Sequence, residues 1–343
     1  MRRLTRKTII RQLGLQPRRL FTLLVPLFLL AAITPAPAAQ VTIKFSHVVA
    51  TDTPKGQAAL YFKRLVEQKS KGTIRVEVYP NASLYSDHEA IEALSLNVLQ
   101  MAAPAFAKFT RFVPELQLFD LPFLFENTRH LHRVLDGNVG RALLRSVSKR
   151  GLVGLGFWDN GFKQLTANRP LVYPADAAGL KFRIMNSMVL ARQFRALGAQ
   201  PEVLPFAEVY GALQHKTIDG QENTLSNIYS KKFFEVQKDL SLTNHGYLGY
   251  LVVTNQLFWN QLTDRQKEII TSSLQEATAY IRGRAAELNR QSLKAIRFSG
   301  KTRIHDLTPE QRHAWQTRLR KIYPEFYDTI GRRLIEDTVA AEQ

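Results

Sequence analysis

Gly179-Leu180-Lys181-Phe182-Arg183-Ile184-Met185-Asn186, then Pro205-Phe206-Ala207-Glu208-Val209-Tyr210, then Asp219-Gly220-Gln221-Glu222-Asn223 is the stretch on which the fold turns. A short apolar strand from Leu180 to Met185 carries an arginine near its end, and helices follow near 188–197 and 206–215. An asparagine then follows a glycine turn. A guanidinium is a planar fork that matches a carboxylate through two parallel hydrogen bonds. Arg183, between Phe182 and Ile184, is partly desolvated and needs an anion. A ligand carboxylate and a structural ion pair with a nearby Asp or Glu meet that need equally well. Asn223 can donate its amide to a carboxylate or accept from a ligand hydroxyl, although capping the turn after Gly220 is the commoner use of such a residue.

Upstream, Val41 to His47 alternates and is β-branched, which predicts a strand. Pro54 opens a helix whose apolar Ala58, Tyr61, Phe62, Leu65 and Val66 recur at helical spacing, and Thr73 to Tyr79 alternates again. Strand, helix, strand is the crossover unit of an α/β sheet. Ser86-Asp87-His88-Glu89 opens the next helix. Met101 to Phe106 is predicted as a short strand, Leu118 to Phe125 as an edge strand or an apolar loop, and Thr128 to Lys149 as helical. Leu152 to Trp158 is a buried strand broken by Asp159-Asn160-Gly161, and Phe162 to Thr166 starts another.

Leu248 to Thr254 is a strong strand and the expected return crossing. Thr263-Asp264-Arg265-Gln266 caps a helix of about 263–296. At 1.5 Å per residue it reaches ~50 Å, too long for one small domain, so it should lie across two. Thr308-Pro309-Glu310 caps a last helical region. The expectation is an α/β fold of two lobes: 40–160 plus 249–288 in the first, and 161–248 plus 289–343 in the second. A ligand cleft lies between them, with closure by hinge.

The chain has 343 residues, no Cys and a formal charge of +18. Arg2, Arg3, Arg6, Lys7, Arg11, Arg18 and Arg19 precede the apolar run Phe21–Ile33, and Ala36-Pro37-Ala38-Ala39 supplies small residues for cleavage near Ala38 or Ala39. Residues 1–39 therefore read as a secretory signal peptide. Their apolar run is shorter than the roughly 20 residues of a spanning helix. Seven of the 47 basic residues and none of the 29 acidic ones lie there, which leaves about +11 on the mature chain. Nucleic acid is a poor partner for an exported chain with no basic-aromatic repeat. A positive field steers anionic ligands inward.

Lys163, between Phe162 and Leu165, is a second candidate interior cation; on an alternating strand it more commonly faces water. If it shares the cleft with Arg183, the ligand is a small dianion. His47 ends the first strand, where α/β clefts open. Tyr247 precedes the return crossing and has a hydroxyl to donate. Phe206 is a candidate wall, Asn186 a partner for Arg183 or the ligand, and Ala105 an apolar wall. Each has a plainer role as a packing or capping residue. Nucleophile, metalloprotease and phosphate-loop motifs are absent, so neither an enzyme nor a cofactor is expected.

Taken in order, Gly179-Leu180-Lys181-Phe182-Arg183, Leu197-Gly198-Ala199, Glu208-Val209-Tyr210, Asp219-Gly220-Gln221-Glu222-Asn223 and Lys232-Phe233-Phe234-Glu235-Val236-Gln237-Lys238 resemble the DctP-type extracytoplasmic solute-binding proteins of TRAP transporters. Ser46-His47-Val48-Val49, Trp158 to Gln164 and Asn244 to Tyr250 resemble the C4-dicarboxylate binders among them. The resemblance implies that Arg183 pairs with a substrate carboxylate and that Asn223 helps hold it. It implies a lysine at 163 in dicarboxylate binders where sialic-acid binders have arginine. The Ala105 position is glutamate in sialic-acid binders, so alanine argues against sialic acid. Thr224 stands where many members have proline. A periplasmic protein is implied that delivers malate, succinate or fumarate to a membrane permease of a small and a large subunit; the alternatives are a binder of another organic acid (2-oxo, aromatic or sugar acid) or a secreted enzyme acting on one, and a monomer is the default expectation.

Overall fold

The computed structural model describes residues 41–341, the side chain of Lys149 excepted. The expected signal peptide, 1–39, and its expected cleavage near Ala38 or Ala39 lie outside these residues. Val41–Ser46 (β1) and Ile74–Tyr79 (β2) run parallel, joined by the helix Pro54–Lys69. Met101–Ala102 (β3) lies on the other side of β1. The strand expected to reach Phe106 stops at Ala102: Pro104 has no N–H to donate, and a 3-10 turn, Phe106–Lys108, takes over. Leu152–Ala167 (β4), Lys181–Ile184 (β5), Gln200–Val203 (β6), Gly220–Asn223 (β7), Asp239–Asn255 (β8) and Arg303–Asp306 (β9) complete the sheet. Its order is β2-β1-β3-β8-β4-β7-β5-β6, with β9 on β8.

The two lobes are the two ends of this sheet, and β4 and β8 are the strands they share. One end of β8 pairs with β3 through Met101 and Thr254. The opposite end of β4 pairs with β7 through Gln164 and Asn223. Between these points β4 and β8 run antiparallel, with a register shift between Asp159 and Gly161. The expected break at Asp159-Asn160-Gly161 is thus a bulge within one continuous strand, which bends and twists the sheet without ending it. Gly161 has φ +153°, and an added Cβ there would lie 2.8 Å from Asn289 Nδ2.

The long helix runs Asp264–Ser299. Thr263 and Gln266 form the expected capping box, and Gly300 ends it at φ +63°. Its 36 residues span about 54 Å. It packs on the helix Pro54–Lys69, on β4 and on the helix Leu225–Ser230, so it touches both ends of the sheet. Asn289 ties it to the bulge: its Nδ2 donates to the Asn160 carbonyl at 2.7 Å. Among the described residues, no helix is long and apolar enough to cross a membrane.

Of the two forms expected for Leu118–Phe125, the apolar loop is the one found: Pro114–Asp120 is 3-10 helix, and the residues on to Phe125 form a buried apolar loop. One expectation needs correction. The end of the C-terminal segment, residues 320–341, expected in the second lobe, packs on the first, whereas Trp315 before it donates to the Val172 carbonyl at 2.9 Å. Ile322, Phe326, Ile330 and Ile335 bury their side chains in one cluster with Leu131, Val134 and Leu143. His130 Nε2 donates to the Thr338 carbonyl at 2.7 Å, and the Tyr323 hydroxyl donates to the Pro122 carbonyl at 2.7 Å. The apolar residues of the segment find cover there, where sequence order alone points to the nearer lobe.

Candidate functional site

The parallel strands β1, β3, β5 and β7 deliver their carboxyl ends, or the residues just beyond them, to one cleft, as α/β sheets commonly do. Val48 and Val49 follow β1, Ala105 and Lys108 follow β3, Arg183 and Met185 lie at the end of β5, and Asn223 ends β7. The outer part, about 220 Å³, is bordered by Asp87, Lys108, Arg111, Asn186 and Phe206 among others. The inner part, about 30 Å³, is closed by Ala105, Lys163, Arg183, Glu222, Asn223 and Tyr250 among others. Val48, Asp87, Lys108 and Phe206 line both, so the two parts are continuous.

Arg183 is 3% exposed. Its Nε and Nη2 donate to the Leu204 carbonyl at 3.0 and 2.9 Å. That carbonyl fixes one edge of the guanidinium and leaves the Nη1 side for another acceptor. Among the described residues no carboxylate forms an ion pair with it. Of the two uses open to this arginine, the structural ion pair is therefore not made. Burial lowers its pKa to about 10, with Glu222 and Asp87 opposing, so it is charged at neutral pH. The Phe206 ring centroid lies 6.0 Å from its guanidinium carbon.

Asn223 sits one strand away. Its Oδ1 accepts from the Thr224 amide at 3.1 Å and from Asn227 Nδ2 at 2.8 Å. With the oxygen so committed, the amide Nδ2 is the group left to donate into the cleft. An acceptor-rich ligand suits both Arg183 and Asn223.

Lys163 is buried, contrary to the commoner use of a lysine on an alternating strand, but its charge is already matched. Its ammonium donates to Glu222 Oε1 at 2.6 Å. Glu222 Oε2 accepts from His245 Nε2 at 2.8 Å, and His245 Nδ1 lies 2.7 Å from the Thr243 hydroxyl. Burial pushes the Glu222 carboxyl up, but Lys163 and His245 outweigh it and hold it at about 2. Gly246 makes the pair possible: a Cβ there would lie 2.6 Å from Lys163 Cε.

Phe206 walls both parts of the cleft, and Ala105 lines the inner part with no polar side chain. Asn186 is exposed at the outer part and does not orient Arg183; the Leu204 carbonyl does. Two expected contacts are not in the wall. Tyr247 faces the other side of the sheet, because strand residues alternate and Leu248 and Tyr250 are the ones that line the cleft. Its ring packs 5.6 Å from Phe162 and 6.3 Å from Phe125, beside Asp159 and Arg282. His47 is buried behind Val48 and Val49, 6.4 Å from the Phe45 ring. Burial and then Lys55 push its pKa to about 3, so it is neutral.

Sequence reasoning missed Asp87, Lys108, Glu222 and Tyr250. Lys108 was within reach of it: a 3-10 turn stacks residue i+3 over residue i, so a wall at Ala105 brings Lys108 with it. Asp87 stands in the first turn of the helix Asp87–Ser95, where an acidic residue has the plainer role of complementing the helix end. Tyr250 follows from the same alternation that removes Tyr247. Its hydroxyl accepts from Asn160 Nδ2 at 2.5 Å.

The chain is similar to several known proteins. Residues 45–329 match the model of the DctP family, bacterial extracellular solute-binding protein family 7. The C4-dicarboxylate-binding periplasmic protein DctP of Shewanella loihica is 48% identical over 306 residues, 89% of this chain and 91% of that protein. A TRAP periplasmic solute-binding protein of Sulfurospirillum deleyianum, solved with bound succinate, is 51% identical. The match covers 88% of this chain and 99% of that one at a TM-score of 0.86. Another from Pseudomonas aeruginosa, solved with bound L-malate, is 42% identical, covering 83% and 99% at a TM-score of 0.82.

Proposed function

The chain belongs to the DctP family of bacterial extracellular solute-binding proteins, and from that premise we propose that it captures a C4-dicarboxylate such as succinate, malate or fumarate in the cleft around Arg183. The observation that carries the reading is the state of Arg183. It is buried, charged, held along one edge by a carbonyl and unmatched by any carboxylate among the described residues. A buried charge without a partner costs several kcal/mol, and a ligand carboxylate supplies the partner. Asn223 offers its amide beside it. The cleft as a whole sets Lys108, Arg111, Lys163 and Arg183 against Asp87 and Glu222, an excess of positive charge that suits a dianion. The succinate and malate bound by its relatives support the same ligand class.

In this reading the leader is cleaved near Ala38 or Ala39, and the monomer works in the periplasm. The lobe built on β1–β3, with the end of the C-terminal segment, closes on the lobe built on β5–β7 by bending at the bulge of β4. The loaded protein then delivers its acid to a TRAP permease. A thermal-shift panel of organic acids tests the ligand class. A ligand at a hundred times its Kd adds about 2.7 kcal/mol of stability, which raises the midpoint visibly. Succinate, malate or fumarate should raise it well beyond any shift given by butyrate, pyruvate or sugar acids at the same concentration. A shift with sugar acids or 2-oxo acids alone would keep the family and replace the ligand.

A further inference from the structure

We propose that Lys108, not Lys163, is the residue that grips the second carboxylate of the ligand and so sets the preference for diacids over monoacids. This rests on the dicarboxylate reading of the same cleft and names the residue on which that reading depends. The argument is one of elimination among the cations around the cavity. Arg183 is the first anchor. Lys163 lines the inner part but is matched by Glu222 at 2.6 Å, with both side chains 1% exposed. Lys55 is fully buried and outside the wall; its ammonium donates to the Ala103 carbonyl at 2.9 Å and sits 3.8 Å from the Tyr250 ring centroid. Arg111 is exposed and borders only the outer part. Lys108 remains.

Lys108 lines both parts of the cleft, and its ammonium has no hydrogen bond or ion pair among the described residues. It enters from the 3-10 turn after β3, whereas Arg183 enters from β5, so the two cations stand on opposite lobes. A diacid held between them bridges the lobes, and a monoacid held by Arg183 alone does not. Burial lowers the Lys108 pKa while Asp87 raises it, and Arg183 adds a further lowering, so the two cations feel one another across the cavity. Asp87 also acts on Lys55 and Arg183 and lines both parts of the cleft, which makes it the counter-charge that balances these cations before the ligand arrives.

The test is calorimetric titration of the full mature chain and of Lys108→Met with succinate and with butyrate, which has the same chain length and one carboxylate. Succinate binding by Lys108→Met should weaken by about 30-fold or more, a little over 2 kcal/mol at 1.4 kcal/mol per tenfold, and Lys108→Arg should recover most of it. The weak binding of butyrate should stay the same in wild type and Lys108→Met. If Lys108→Met binds succinate as the wild type does, or loses succinate and butyrate equally, the assignment is overturned and the dicarboxylate reading stands. A wild-type chain that binds neither succinate, malate nor fumarate overturns both. Lys163→Met serves as the contrast: its loss should appear in unfolding stability, and a loss of diacid selectivity there with none in Lys108→Met would reverse the assignment.

Discussion

At the scale of single residues, two buried cations on β4 and β5, with β7 between them, have opposite uses because of what surrounds them. Arg183 meets a carbonyl and an open cavity; Lys163 meets a carboxylate. The difference has a pH signature. Glu222 has a folded-state pKa of about 2 against an ordinary 4.5, so on acidification the unfolded chain takes up this proton first. The stability it contributes is complete above about 4.5 and is lost as pH falls towards 2. In Lys163→Met the carboxylate keeps its burial and loses its main partner, which raises its pKa. The variant should be less stable at pH 7 by about 3–5 kcal/mol. The gap to wild type should narrow on acidification to pH 4, since protonation relieves the unpaired charge. Urea unfolding at the two pH values measures it. The double variant Lys163→Met/Glu222→Gln should recover much of the loss. A gap that does not change with pH would mean that Lys163 acts by packing and not by charge.

At the scale of elements, the strands and caps were legible where local chemistry decides them. Ser86, Thr263 and Thr308 cap their helices with the partners their sequences offered, Glu89, Gln266 and Gln311. β1 and β2 follow their alternation. The failures share one cause, pairing with distant chain. Asp159-Asn160-Gly161 looks like a strand break, and β8 across the sheet turns it into a bulge. The strand expected over Leu248–Thr254 begins earlier, because β4 and β9 pair with Asp239–Leu242 and draw it into one longer strand. The bulge itself makes a prediction. Gly161→Ala meets both a positive φ and Asn289 Nδ2 at 2.8 Å, while Gly151→Ala meets a φ of +68° and nothing within 4 Å. The second should cost about 1–2 kcal/mol from backbone strain alone. The first should cost more, because the Asn289–Asn160 bond must also give way. Equal losses by urea unfolding would remove the steric part of this account.

At the scale of the molecule, the two lobes, the crossing strands and the long helix were legible from length, alternation and capping, and so was the meeting of Arg183 and Asn223 in one cleft. The second anchor was not. Which face of a strand looks inward decides whether Tyr247 or Tyr250 lines the cleft, and a one-residue difference exchanges them. Whether a buried lysine is free depends on a carboxylate 59 residues away, as Glu222 is from Lys163. The end of the C-terminal segment returns to the first lobe for the same reason: its apolar side chains follow available surface, not chain order.

The central claim is that a buried, unmatched Arg183 is the anchor for a small organic diacid. The most direct measurement is titration calorimetry of succinate into the mature wild-type chain and into Arg183→Ala, side by side at one salt concentration. The account predicts saturable one-to-one binding by wild type. Arg183→Ala should lose about 2–5 kcal/mol of it, because the ligand carboxylate then enters the cleft without its fork. Arg183→Ala binding succinate as tightly as wild type, while both fold alike, would contradict the claim.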